Sequence, residues 1–337
     1  MKSLSFLIFL LCLVACEKKQ QVVVYTALDR NFSEPILRKF EEKTGIQVKA
    51  KYDTESTKTV GLTACLIEES KHPRCDVFWN NEIVNTLRLK QKGILAAYIS
   101  PASQDIPEYF KDKEGYWTGF AARARVLIVN TEKVKAKDFP VCLSDLAKPE
   151  WKGRFAIAKP VAGTTATHFA CLFSILGPPK AKEFFLSFKA NQVRIESGNK
   201  SCAEKVGSGE LDIALTDTDD AMIEILQNRP VKILYPDSQP NQSGTLFIPN
   251  TLALIANSPN PENAKKLISY LLSPEVEEML SECPSAQIPL NPKAKNKGQI
   301  QGPDKILSMP MEFSHAAKHW EATQEFILKE FLSTLPK

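Results

Sequence analysis

The sequence predicts an α/β fold, and three observations carry that reading. Short β-branched runs alternate with amphipathic segments of helical period from residue 22 onward. Over the first hundred residues the order is strand, helix, strand, helix, strand, which builds a lobe with a largely parallel sheet. The chain has 337 residues, and the 322 left after residues 1–15 suffice for two lobes with sizeable cores.

The elements follow in order. Val22-Val23-Val24-Tyr25 is a β-branched strand, and Ser33–Thr44 is a helix with Ile36, Leu37 and Phe40 on one face. Ser33 with Pro35 gives its start signal and Gly45 its stop. Residues 46–52 alternate as a half-buried strand does. Lys58–Glu69 reads as a helix, Asp76–Trp79 as a strand and Asn81–Lys92 as a helix. A second set begins with the strand Arg125–Val129. The strand Phe155–Ala158, the helices Thr164–Leu176 and Ala181–Ala190, and the strands Val193–Ile195 and Ile213–Leu215 follow. Thr245–Ile255 is extended, and the helices Asn260–Leu272 and Pro274–Ser281 have proline early in the first turn, where its missing N–H costs nothing. Ala316–Ser333 is predicted as a final amphipathic helix, and Pro236–Ser243 as a polar loop.

The first sixteen residues, MKSLSFLIFLLCLVAC, have the order of a secretory leader: a charged start, an apolar run, then small residues. The run is shorter than the roughly 20 apolar residues a membrane-spanning helix needs. Its ending, Leu13-Val14-Ala15-Cys16, resembles a bacterial lipobox, which implies a signal peptide over 1–15, an acyl chain such as palmitate on Cys16, and a polar tether over 16–21. Removing Lys2 with the leader leaves 42 basic against 39 acidic side chains, a balance that gives no footprint for nucleic acid. Cys65, Cys75, Cys142, Cys171, Cys202 and Cys283 show no C-x-x-C spacing. The four histidines (His72, His168, His315, His319) lie away from them, so no zinc-type site is expected. The six read as buried small residues or disulfides of unassigned pairing. His315 and His319, four apart, read as a solvated helix face.

Ligands of open parallel sheets sit beyond the carboxyl ends of the strands. Four such loops are unusually polar: Thr26–Asn31, Asn80-Asn81-Glu82, Ala162-Gly163-Thr164-Thr165 and Thr216–Asp220. Each taken alone fits a helix N-cap; all four together point to a shared cleft. Trp79 and Tyr25 end strands beside it, where an aromatic ring can stack on a sugar, although Trp79 also continues the apolar run Val77-Phe78.

Several segments taken in order carry a family resemblance. They are Val24-Tyr25-Thr26-Ala27, Lys39–Ile46, Asp76-Val77-Phe78-Trp79-Asn80-Asn81-Glu82, Ala122-Arg123-Ala124-Arg125-Val126, Gly209–Thr216 and Pro249-Asn250-Thr251. Together they resemble the iron(III)-type periplasmic solute-binding proteins of ABC importers, over nearly all of residues 22–285. The resemblance implies the two-lobed periplasmic-binding-protein fold (type II) with crossing hinge strands near Arg123 and Asn250. It places 22–122 with 252–282 in the N-terminal lobe and 123–251 with 283–337 in the C-terminal lobe, the last helix packing on the second lobe. It implies a monomer on the periplasmic side, a lipid anchor at Cys16, an inner-membrane ABC permease as partner, and a small-molecule or metal-ion ligand.

By the motif's register, the adjacent tyrosines of iron-binding members correspond to Asp219 and Asp220. The first-loop histidine corresponds to Asp29, and the first-lobe glutamate to Asn81 with Glu82 adjacent. No cofactor is intrinsic; bound iron(III) with a synergistic anion is the implied cargo, with Asp29, Glu82, Asp219 and Asp220 as its metal ligands. Gly163, Thr164 and Thr165 open a helix whose free N–H groups suit an anion. Arg123 and Arg125 share one strand face. Thr26, Asn199 and Asp217 complete the candidate ligand-binding set. Oxygen donors in place of phenolates suit hard cations, but also the hydroxyls of a phosphorylated sugar or another anionic polyol or an ammonium group such as a polyamine's, and these ligand classes stay open. An enzyme is not expected: Asp217, Asp219 and Asp220 are too close in sequence for a carboxylate pair held across a bond, and no nucleophile elbow or P-loop occurs.

Overall fold

The computed structural model describes residues 20–53, 60–296 and 298–333. The leader, Cys16 and the tether up to residue 19 lie outside them, as do the first two residues of the expected helix Lys58–Glu69. β1 (Gln21–Thr26) leads into α1 (Arg30–Thr44), β2 (Gln47–Tyr52), α2 (Val60–Glu68), β3 (Val77–Asn80), α3 (Val84–Gln91) and β4 (Leu95–Ala96). The long β5 (Thr118–Asn130) follows, then β6 (Phe155–Ala158), α4 (Gly163–Leu176), α5 (Pro178–Ala190), β7 (Arg194–Glu196), α6 (Asn199–Gly207), β8 (Ile213–Asp217) and α7 (Thr218–Leu226). β9 (Val231–Leu234), β10 (Phe247–Ile255), α8 (Pro261–Leu271), α9 (Pro274–Glu282), α10 (Phe313–Lys318) and α11 (Trp320–Phe326) complete the chain.

The strands join in the order β2-β1-β3-β10-β5-β8-β6-β7, with β4 on β10 and β9 on β5. β1 is parallel to β2 and β3, and β6 is parallel to β7 and β8, so each outer half is the parallel sheet that the alternating pattern predicts. The middle is not: β10 runs antiparallel to β3 and β5, and β5 antiparallel to β8. β5 and β10 are buried at every residue and connect the halves. This is a mixed α/β architecture of two halves with two crossing strands, passing through Arg123 and Asn250 as expected.

The first half is cored by Val22, Val24, Ile36, Leu37, Phe40 and Trp79 between β1, β3 and α1. Trp79 is fully buried, with its ring 5.6 Å from that of Phe120. Tyr25 is also buried and donates its hydroxyl to Glu69, 2.8 Å to Oε2. Burial, with the Glu69 carboxylate adding to it, pushes the phenol pKa up. Neither ring is available to stack on a ligand, because both belong to the packing beneath the sheet.

Several boundaries differ for physical reasons. α1 begins a turn before Ser33, because Phe32 and Ser33 N–H both bond to the Asp29 carbonyl, each at 3.0 Å. Ser33 Oγ donates back to that same carbonyl at 3.0 Å, so Ser33 is an interior residue and Pro35 lies within the helix. Gly45 ends it with φ 70 and its N–H on Glu41 O. α3 starts at Val84 instead of Asn81, since Glu82 caps it. The segment Thr216–Asp220, expected as a loop, is the end of β8 and the first turn of α7; α6 and α7 are helices the sequence pattern did not reveal. The single C-terminal helix is broken at His319 into α10 and α11, followed by a wider helical turn at Ile327–Phe331.

Phe326 packs on Phe173, and Phe331 on Phe169 and Phe185, which seats this segment on α4 and α5 as expected for the second half. α10 also touches α3 of the first half, and the Arg88 guanidinium of α3 lies 5.2 Å from the ring of Trp320 at the start of α11. The six cysteines are all free thiols; Cys75, Cys171 and Cys202 are buried, which is the small-residue reading. Among the described residues no helix is long and apolar enough to cross a membrane.

Candidate ligand-binding site

A cleft of about 310 Å³ opens where β1, β3, β6, β7 and β8 end, the place where open parallel sheets bind ligands. The first half contributes Asp29 and Asn31 from the start of α1 and Asn81 after β3; the second contributes Gly163–Thr165, Asn199, Asp217, Asp219 and Asp220. Arg123 enters from the crossing strand β5.

The floor on the second side is a buried polar network centred on Arg125. Arg125, fully buried, donates from Nη1 to Asp217 Oδ1 (2.5 Å), Asn199 Oδ1 (3.1 Å) and Thr164 Oγ1 (3.3 Å), and from Nη2 to Thr165 Oγ1 (3.2 Å). Asp217 Oδ2 accepts from the Thr164 hydroxyl and from Asn199 Nδ2 at 2.9 Å. Both carboxylate oxygens of Asp217 are thus committed. The network neutralises the Arg125 charge inside the protein, where an unpaired charge would be very costly. It also fixes the first turn of α4. Gly163, at φ +63, supplies the left-handed backbone that turns the chain into α4, and a Cβ there would meet no atom within 4 Å. Its requirement is conformational, and the first-turn N–H groups are left to face the cleft.

Above this floor stand the groups a ligand can meet. Asp219 and Asp220 occupy the first turn of α7, where the helix dipole favours carboxylates. With Asp217 they offer one oxygen each within 4.8 Å of one another. Arg123 is only 5% exposed, with Nη2 3.4 Å from Asp219 Oδ2. Burial works against its charge, but Asp219, Asp217, Asp220 and Asp29 outweigh it and hold the guanidinium pKa above its ordinary value. Its Nε and Nη2 have no hydrogen-bond partner, and neither has the buried Oδ1 of Asn81, whose Nδ2 is held by Ala27 O at 3.1 Å.

Two of the expected residues are elsewhere. Thr26 is fully buried and its hydroxyl accepts from Leu28 N (3.2 Å), shaping the β1–α1 turn. Glu82 is also fully buried: it accepts from Val84 N (2.7 Å), from Asn85 N (3.0 Å) and from the Thr167 hydroxyl of α4 (2.8 Å). Its carboxylate is a helix cap and a tie between the halves, outside the cleft lining and outside the Asp217–Asp219–Asp220 group. The two arginines do not form surface ion pairs; both are interior. Missed in the sequence were Phe32, Lys159 and Lys200, which line the cleft, while Asn31 ends the polar loop Thr26–Asn31 already assigned to it. Lys159 directly follows β6 and Ser197-Gly198 directly follow β7, so the strand-end rule that found the other loops would have found these.

Two α/β halves crossed by two strands and opening on a polar cleft define a two-lobed solute-binding protein. The chain belongs to the bacterial extracellular solute-binding proteins, whose family model matches residues 84–309. Such proteins carry solutes; this one is a carrier and not an enzyme. It is 27% identical to "Iron uptake protein A1" of Synechocystis over 301 residues, 84% of this chain and 81% of that protein. Two solved structures show the same fold. Iron-bound HitA from Pseudomonas aeruginosa matches with TM-score 0.80 and 24% identity, over 91% of this chain and 99% of that one. AfuA from Actinobacillus pleuropneumoniae with fructose-6-phosphate matches with TM-score 0.81 and 22% identity, over 94% and 100%. The resemblance to iron(III)-type binding proteins and the type II fold expectation are both met by these relatives.

Proposed function

We propose that this chain is the substrate-binding component of an ABC importer that captures iron(III), or a similar metal ion, together with an anion. A lipid on Cys16 holds it at the membrane outside the cytoplasm, it acts as a monomer, and an inner-membrane permease receives its cargo. The lobes are residues 22–122 with 252–282 and 123–251 with 283–337, and they close on the cargo because it contacts both only in the closed state. The observation that carries the reading is the Asp217–Asp219–Asp220 carboxylate group beside the first turn of α4. With Asp217 committed to Arg125, the metal falls to Asp219 and Asp220, with Asp29 from the opposite wall. The anion takes the Gly163–Thr165 amides and the Arg123 guanidinium. The iron named in the relatives' descriptions agrees with this cargo.

A second reading rests on Arg123. A guanidinium 3.4 Å from Asp219, with no tyrosine at positions 219 or 220, suits a phosphorylated sugar or other small anionic polyol, the ligand class held by the AfuA structure. Thermal-shift titration separates the two. Iron(III) with citrate or phosphate stabilises the protein on the first reading; fructose-6-phosphate in chelator does so on the second.

A further inference from the structure

We infer that the anchored molecule stands on the pole of its first half where β1, β2, β3 and β4 begin. Lys71, Arg74 and Lys92 meet the phosphates of anionic lipid headgroups there, and the cleft is held away from that membrane. This pose rests on the lipid anchor proposed at Cys16 and is independent of the cargo. Strand direction sets the pole. β1 is parallel to β2 and β3, and β10 runs antiparallel to β3 and β4, so the amino ends of the first four strands lie together with the carboxyl end of β10. The cleft opens beyond the other ends of β1 and β3.

The chain enters at this pole with no slack. Gln20 O accepts from Gln47 N (2.9 Å) and Gln21 O from Asn263 Nδ2 (2.9 Å), which ties the start of β1 to β2 and to the first turn of α8. Four residue steps separate Gln20 from Cys16, a reach of at most about 14 Å even when fully extended. The six residues of β1 then carry the chain about 20 Å toward the cleft. An anchor at Cys16 therefore keeps the pole near the lipid and the cleft beyond it.

The same pole carries uncompensated positive charge. A hollow of about 80 Å³ opens between Ser70, Pro73, Arg74, Lys92, Gly93 and Asn257. It belongs to the pole because Ile255 N bonds to Asp76 O (3.0 Å) and Ala256 N to Ile94 O (2.9 Å). β3, β10 and β4 follow β1 across the sheet, so three strand spacings, about 15 Å, separate the chain's entry from the far rim. Arg74 and Lys92 line the hollow and Lys71 lies in the turn before it. All three are exposed, and among the described residues none has an ion-pair partner. Glu69, which also lines the hollow, is taken by the Tyr25 hydroxyl (2.8 and 3.1 Å to its two oxygens). The attraction of an anionic lipid surface for lysine and arginine dies away within a Debye length, about 8 Å at physiological salt. Cations of this pole feel it; Arg123, Lys159 and Lys200, in the cleft, do not. Exposed charge contacts are weak one by one, so the pole can leave the lipid when the cleft meets the permease.

The test is amide hydrogen exchange of the mature acylated protein in vesicles of phosphatidylcholine, with and without phosphatidylglycerol. With phosphatidylglycerol, the amides of residues 70–74, 92–94 and 256–257 should exchange about fivefold more slowly, while those of Gly163–Thr165 stay unchanged. Salt at about 0.5 M should erase the difference. The variant Arg74→Glu/Lys92→Glu should lose it too while remaining on the vesicles. Equal exchange on both kinds of vesicle, or protection at Gly163–Thr165 instead, overturns the pose. Protection that persists in the charge-reversed variant overturns the role of Arg74 and Lys92. Mass spectrometry of the same sample reads the anchor separately: a Cys16 without acyl chains refutes the lipidation and the pose with it, whereas an acylated Cys16 with equal exchange refutes the pose alone.

Discussion

Arg125 and His168 show how much of the site is internal chemistry instead of ligand contact. Arg125 has no exposed surface, and its partners Asp217, Thr164, Thr165 and Asn199 are the residues a sequence reading assigns to the ligand. Replacing Arg125 with methionine leaves Asp217 buried without its cation. The expected loss is about 3–5 kcal/mol in denaturant unfolding; a loss below about 1 kcal/mol would mean that the pair is not desolvated. His168 lies one residue beyond Thr167 on α4, 2% exposed with Nε2 unpaired. Burial, with the Arg125 charge adding, pushes its pKa well below the ordinary value. The unfolded chain therefore binds a proton below about pH 6.5 that the folded chain refuses, and stability falls as pH drops through that window, by up to about 1.4 kcal/mol per unit. His168→Gln should remove this component. Urea midpoints of both proteins at pH 7 and pH 5 measure it, and equal losses in the two would assign the pH dependence to other groups.

At the scale of elements, α4 connects the cleft wall to the first half. Its first turn presents the Gly163–Thr165 amides, and Thr167 within the next turn holds Glu82 of the first half. Gly163→Ala places a Cβ at φ +63 in open space. It should cost about 1–2 kcal/mol from the backbone alone and weaken phosphate binding as the turn reorients. Unchanged phosphate affinity, read by calorimetry, would remove the α4 amides from the anion site. The same helix shows what sequence pattern can and cannot deliver. Gly163-Thr164-Thr165 after Phe155–Ala158 was legible as a strand-to-helix turn because local residue types determine it. Glu82 was misplaced because a carboxylate after a strand looks alike whether it faces a cleft or caps the next helix. Only the position of Thr167, 85 residues away, decides between them. α1 was shifted for a related reason: Ser33 and Pro35 form a convincing start signal, overridden by the Asp29 carbonyl that two N–H groups share.

At the scale of the whole molecule, the α/β class and a shared cleft were legible because strand and helix signals alternate in both halves and the polar strand ends recur; the two-lobed arrangement came from the family resemblance. The antiparallel middle was not legible, since the pairing of β5 with β10 joins segments more than a hundred residues apart. Asp219 and Asp220 in the first turn of α7 are the decisive feature of the cleft, because they set carboxylates beside one buried guanidinium. The most direct measurement is the thermal shift of the wild-type protein and of the double variant Asp219→Ala/Asp220→Ala on adding iron(III) with citrate. The wild type should be stabilised and the double variant should not. No stabilisation of the wild type by iron(III) with citrate, together with stabilisation by fructose-6-phosphate in chelator, would contradict the metal–anion cargo.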